Sequence, residues 1–160
     1  GACDAYTTYA SGLAATRAAF ADPDNHIILP EIISKEPLGP AVRHGDNNWG
    51  DVVRWTYYAL LIAEEKGITK ANVEEVMASS TDEEVKRLLG VSGDMGVKFG
   101  LDNAAFKNAI AAAGNYVAPS PRRTAAGTTR NIGEGTTINL ARGLNALWTQ
   151  GGLQYAPPFR

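Results

Sequence analysis

Apolar positions change their spacing along the chain, and the change marks out segments of different kinds. Residues 4–8, DAYTT, set an aromatic before two β-branched threonines and predict a short strand. Residues 10–20 have the alanine- and leucine-rich composition of a helix. Tyr9 falls at their junction, where strand-to-helix turns usually present ligand-binding groups. ADPDNH is a turn by its Pro and Asp. IILPEII (27–33) is apolar and β-branched but broken by Pro30, which has no amide to donate. That predicts an edge strand or a crossing segment. EPLGPAVRHGD (36–46) is a further extended stretch, with Pro37 and Pro40 opposing helix.

From Asp46 the spacing becomes helical. Asp46 or Asn47 caps NNWGDVVRWTYYALLIAEEKG, and Gly67 ends it. Trp49, Val52, Val53, Thr56 and Leu60 share one face, while Trp55, Tyr58 and Ile62 form a second row, so burial is expected on most sides. Thr69 is expected to cap a short helix carrying Val73, Val76 and Met77. TDEE (81–84) has the form of a capping box leading into Val85, Leu88 and Leu89, with a stop at Gly90. Asp102 opens a helix with Phe106, Ile110 and Ala113 in line and Gly114 after them. Residues 115–135 show no periodicity and read as a loop, expected to be mobile over 118–135. Asn139 is expected to start a last helix with Leu140, Leu144, Leu147 and Trp148 on one stripe, before an extended tail. At least five helices thus stand against two or three short strands. Two strands make a poor sheet, so something outside this pattern is expected to complete it.

Composition narrows the class. A chain of 160 residues with 44% hydrophobic and 20% charged residues suits one ordinary globular domain. A net charge of −2 opposes a nucleic-acid partner. Arg122, Arg123 and Arg130 read as solvated loop charge. No apolar run is long enough to enter and cross a membrane, and no signal-peptide pattern stands at the start. Cys3 is the sole cysteine. It reads equally as a small buried group or as half of a disulfide.

Candidate chemistry is thin. His26 and His44 are too isolated for a metal site. The serines lack a G-x-S-x-G elbow. GEGTTI (133–138) lacks the third glycine and the preceding strand of a phosphate loop, so it reads as a turn. Paired glutamates at 64–65, 74–75 and 83–84 point in different directions on helices and read as solvated faces. The residues present no catalytic constellation, no metal ligands and no cofactor site, and the reading is of a chain that is not an enzyme.

Three stretches carry more information: CDAYTTYASGLAATR, ILPEIISKEPLGPAVRHGDNNW and RGLNALWTQGGLQYAPPFR. They resemble the periplasmic solute-binding proteins of polar and general L-amino-acid ABC transporters, and the likeness runs through nearly the whole chain. It is weakest at 118–130. The resemblance implies a two-lobed α/β clamshell of the type II periplasmic-binding-protein fold, which closes by hinge bending around an L-amino acid and presents itself to an ABC permease. It implies a periplasmic location. The chain looks like the C-terminal half of such a protein. On that reading residues 1–33 are the remnant of the second lobe and the hinge crossing, and residues 34–160 the C-terminal part of the first lobe. The expected fold is an incomplete α/β lobe, helix-rich with two or three short strands. Its sheet would be completed by a partner chain, either the missing N-terminal half or a second copy in a homo-oligomer. In relatives the cysteine matching Cys3 can pair with one in the N-terminal half.

The resemblance also gives Tyr9 a context. Relatives carry a pattern similar to DAYTTD, whose closing Asp accepts hydrogen bonds from the ligand's α-ammonium group. A phenol at that position is uncharged at neutral pH and offers one acceptor. Thr8 and Tyr9 are therefore the candidate substrate-binding residues, with Tyr9 at the position of the ammonium-binding Asp. A ring packed on apolar surface, or an interface residue, is the alternative for Tyr9. Two functions remain open from sequence: part of an amino-acid-binding transport receptor, or a stand-alone relative that no longer holds a zwitterion and serves as an oligomeric interaction protein.

Overall fold

Helix is the dominant structure. The computed structural model describes residues 3–35, 37–117 and 141–160, and these fall into two units. One takes in the described residues up to 39 together with 141–142. The other takes in 40–117 and 143–160.

The first unit contains α1 (Ala10–Ala18) and a 3₁₀ turn at Pro23–Asn25. Arg17 ties the two together: its Nε donates to the Pro23 carbonyl at 2.9 Å, and Phe20 stacks at a tilt on His26, with ring centroids 4.4 Å apart. Residues 4–8 and 27–33 belong to no regular element, and no β-strand occurs among the described residues. The two or three short strands expected from the sequence are not formed among them. A strand is defined by its neighbour, and the described residues offer these β-branched segments no second strand. Ile27, Ile32 and Ile33 are about four-fifths exposed, and Ala14 is the one described residue of this unit that is buried. Cys3 is an exposed thiol, so the buried reading for it is dropped.

The second unit is built on α2 (Asn47–Glu65). The Asp46 carboxylate caps it by accepting from the Trp49 N–H at 3.1 Å. Its C-terminus closes as a Schellman turn. Ile68 N–H reaches the Ala63 carbonyl at 2.7 Å and Gly67 N–H the Glu64 carbonyl at 3.0 Å, while Gly67 takes φ 67°. Ala59 to Ala63 are buried on every side, but Trp49 at the start of the helix lies open. α3 (Val73–Ser79), α4 (Glu83–Leu88), α5 (Met95–Lys98) and α6 (Ala105–Ala113) complete the helical set among the described residues. α6 and α3 pack together, and α6 packs on α2. Leu61, Ile68, Leu88, Leu89, Phe106, Ile110 and Phe159 are fully buried within this unit.

Several local expectations shift. The short helix expected to be capped by Thr69 starts at Val73 with Asn72 as its N-cap residue, because Thr69 and Asn72 first close a turn of their own. The helix expected to open at Asp102 starts at Ala105 with Ala104 in the N-cap position. α4 is capped by Asp82, one residue later than the box in TDEE implies: its carboxylate accepts from Glu84 N–H at 2.8 Å and Val85 N–H at 3.4 Å. In place of the last helix the described residues form 3₁₀ turns at Gly143–Asn145 and Trp148–Gln150, with an isolated bridge between Leu147 and Gln154. The expected first residues of that helix, Asn139 and Leu140, lie outside the described residues. So do the loop expected over 118–135, the GEGTTI turn and the three loop arginines.

Candidate functional site

The strand-to-helix junction singled out by sequence lies at the start of α1. Tyr9 is its N-cap residue, with φ −54° and ψ 146°. Its carbonyl accepts from the Leu13 N–H at 2.8 Å, so the backbone turns into the helix there. The phenol makes no capping hydrogen bond, and no acidic side chain occupies the first turn. The first-turn N–H groups have no partner within the helix, and the backbone dipoles there favour negative charge. The Tyr9 ring is 45% exposed. Thr8 is also exposed. It lies beside the first turn, where a side chain added at Gly12 would come within 2.9 Å of the Thr8 methyl. The structure thus brings Thr8 and Tyr9 together at one helix end and offers hydroxyl and amide donors there without a carboxylate. A fixed anion would be the stronger partner for an ammonium group.

Sequence reasoning passed over a second concavity. In the second unit, an open cleft of about 620 Å³ surrounds the start of α2, with Arg43, His44, Asp46, Asp51 and Arg54 on its walls. Both acids are committed: Asp46 caps the helix, and Asp51 holds Arg54 at 2.9 Å. Proximity through the turn at Gly45, where φ is 84°, brings His44 and Arg43 to this place. Only the fold reveals it, because Arg43 and His44 lie before α2 begins and share no helix with Arg54. Among the described residues no three His, Cys, Asp or Glu side chains gather as a metal-binding group. No helix among them is long and apolar enough to cross a membrane.

No protein-family profile matches the chain. Individual proteins do. The glutamate/glutamine/aspartate/asparagine-binding protein BztA of Rhodobacter capsulatus is 64% identical over the whole chain, and the alignment covers 45% of that protein. The general L-amino acid-binding periplasmic protein AapJ of Rhizobium johnstonii is 54% identical over the whole chain and 45% of its own length. An ABC transporter periplasmic binding protein from Brucella ovis, solved with glutathione bound, superposes with a TM-score of 0.87 at 52% identity. The superposition spans all of this chain and 48% of that one.

The chain is a homologue of the amino-acid-binding periplasmic proteins of ABC transporters. It spans about 45% of the length of the curated relatives it matches. These homologues are binding proteins of transporters rather than enzymes. At this identity and TM-score the chain shares the fold of the matching 48% of that periplasmic binding protein.

Proposed function

We propose that this chain forms part of a periplasmic receptor that captures L-amino acids and delivers them to an ABC permease. The observation that carries the reading is the 64% identity to BztA, sustained over every residue of the chain. Identity at that level preserves both the fold and the general character of the ligand cleft. The share of the relatives that is covered supports a second part of the proposal. The chain works together with polypeptide equivalent to the remainder of such a protein, as its C-terminal half, with residues 1–33 in the second lobe and the hinge crossing and 34–160 in the first lobe.

The first unit favours this arrangement on physical grounds. The segment 27–33 carries Ile27, Leu29, Ile32 and Ile33 exposed, and it is in no strand among the described residues. Pairing with further strands would cover those side chains and complete a strand at once. In the assembled receptor Thr8 and Tyr9 would line the cleft, with the Tyr9 hydroxyl near the ligand's ammonium group.

The test combines this chain with the complementary part of a BztA-like protein and measures ligand binding by calorimetry. Acidic and neutral L-amino acids form the core of the ligand panel. Glutathione belongs in it too, because its γ-glutamyl end carries the same ammonium–carboxylate pair as a free amino acid and the Brucella relative holds it. The combined protein is expected to bind saturably as a one-to-one complex, and the chain alone to give no heat. Failure of the two parts to associate, with the chain forming a stable homo-oligomer instead, would overturn the assembly. Association without binding of any panel member would overturn the ligand class.

A further inference from the structure

Phe159 is wholly buried, yet it belongs to no helix or strand. Its ring meets Trp55 of α2 edge-on at 5.2 Å and Phe106 of α6 edge-on at the same distance. Its backbone is held by side chains. Arg87 Nε donates to the Phe159 carbonyl at 2.8 Å, and the Phe159 N–H donates to Glu84 Oε1 at 3.1 Å. Arg87 and Glu84 stand three apart on α4, so they share one face of it. An ordinary core residue has its backbone satisfied by its own helix or sheet. Here a helix face reads both polar groups of one extended residue while a pocket takes its ring.

That division of labour is how grooves recognise extended peptides: main-chain hydrogen bonds give affinity and a side-chain pocket gives specificity. The rest of the segment fits the same description. Residues 155–160 have no regular structure, and among the described residues the backbone-to-backbone hydrogen bonds end at Gln154. Pro157 and Pro158 restrict the backbone to extended conformations before the anchor, which lowers the ordering cost of docking. Ala156 is buried, whereas Tyr155 and Pro158 on either side of it face outward.

We propose that α2, α4 and α6 build a peptide-binding groove for an extended, proline-containing segment anchored by phenylalanine, filled here by the chain's own residues 155–160. The segment docks and undocks as a unit without unfolding the helices. Covalent attachment gives it an effective concentration of order millimolar, which keeps it seated.

The test uses the full chain with Phe159→Ala, which empties the ring pocket but keeps Glu84 and Arg87. The synthetic peptide YAPPFR should raise its melting temperature saturably and quench or enhance Trp55 fluorescence, while YAPPAR should do neither. Equal effects of the two peptides, or none from YAPPFR at millimolar concentration, would overturn the proposal. Hydrogen exchange on the unaltered chain keeps the idea testable should the variant fail to fold. The Phe159 amide is expected to exchange through a local opening that is insensitive to low denaturant, several-fold faster in Glu84→Gln. Exchange of that amide only with the slowest core amides would sink the idea of a separable segment.

Discussion

Lys66 joins elements that are distant in sequence. Its ammonium lies 2.8 Å from Asp82 and 3.1 Å from Glu84. The hydrogen bond to Asp82 is the main reason the Lys66 pKa is raised above 10.5, and the same bond holds the Asp82 carboxyl below its ordinary 3.8. Asp82's contribution to stability is present above that ordinary value and lost as pH falls through the lower folded one. Lys66's contribution is present below 10.5 and lost as pH rises through the higher folded one. Lys66→Met should therefore flatten the stability profile at both its acidic and its alkaline edge. At neutral pH the loss should be about 1 kcal/mol or less, since the pair is partly solvated; urea titrations across pH would check it. Asp82→Ala should cost more, about 1–2 kcal/mol, because it also uncaps α4. The sequence signalled a cap at this place through TDEE. Asp82 supplies it with one carboxylate oxygen, Oδ1, while Oδ2 meets Lys66 at the end of α2.

At the scale of elements, the helices of the second unit were largely legible. Their signals are local, lying within one or two turns: Asp46 before α2, Gly67 after it, Gly90 after α4 and Gly114 after α6. Gly90 has φ 76° and also lies against the Asn103 carbonyl. α5 escaped notice because a single turn of four residues carries no periodicity. The segment from Asn139 to the extended tail was expected as a helix because Leu144, Leu147 and Trp148 fall at helical spacing. The chain instead folds back on itself there, with Gly152 so close to the Ala146 carbonyl that any Cβ would overlap it. Tyr57 on α2 then fastens the turn through its hydroxyl to Gln154. Gly152→Ala should destabilise the second unit by about 1–3 kcal/mol through that overlap, read as a lower urea midpoint with an unchanged slope.

On the scale of the molecule, the two units differ in what they bury. The second contains Phe106, Phe159, Leu61 and Ile110 out of water, whereas among described residues the first buries Ala14. Hydrogen exchange of the chain by itself should show slow amides from Leu60 to Ala63 and near-unprotected amides over 27–33. Protection of 27–33 is expected to appear when the complementary polypeptide is added. Tyr9→Asp then tests the candidate site. It returns a carboxylate beside the ligand's ammonium group and adds a cap to α1, worth about 1 kcal/mol to the helix. In the assembled receptor it should tighten amino-acid binding by about 2 kcal/mol or more, the low end of what a buried charge pair is worth when completed. Unchanged affinity would place Tyr9 away from the ligand.

Read alone, the sequence determined the longer helices of the second unit and the cap of α2, because backbone hydrogen bonds and capping side chains act across only a few residues. Its three quoted stretches also carried the likeness to the transport receptors. The tertiary structure decided which apolar residues are core, and why. Burial requires surfaces from several elements to meet, as Trp55, Phe106 and Phe159 do. It left the β-branched segment 27–33 in no strand among the described residues, with Ile27, Ile32 and Ile33 exposed. A strand's character is written in its own residues, but its hydrogen bonds are completed only by a neighbour.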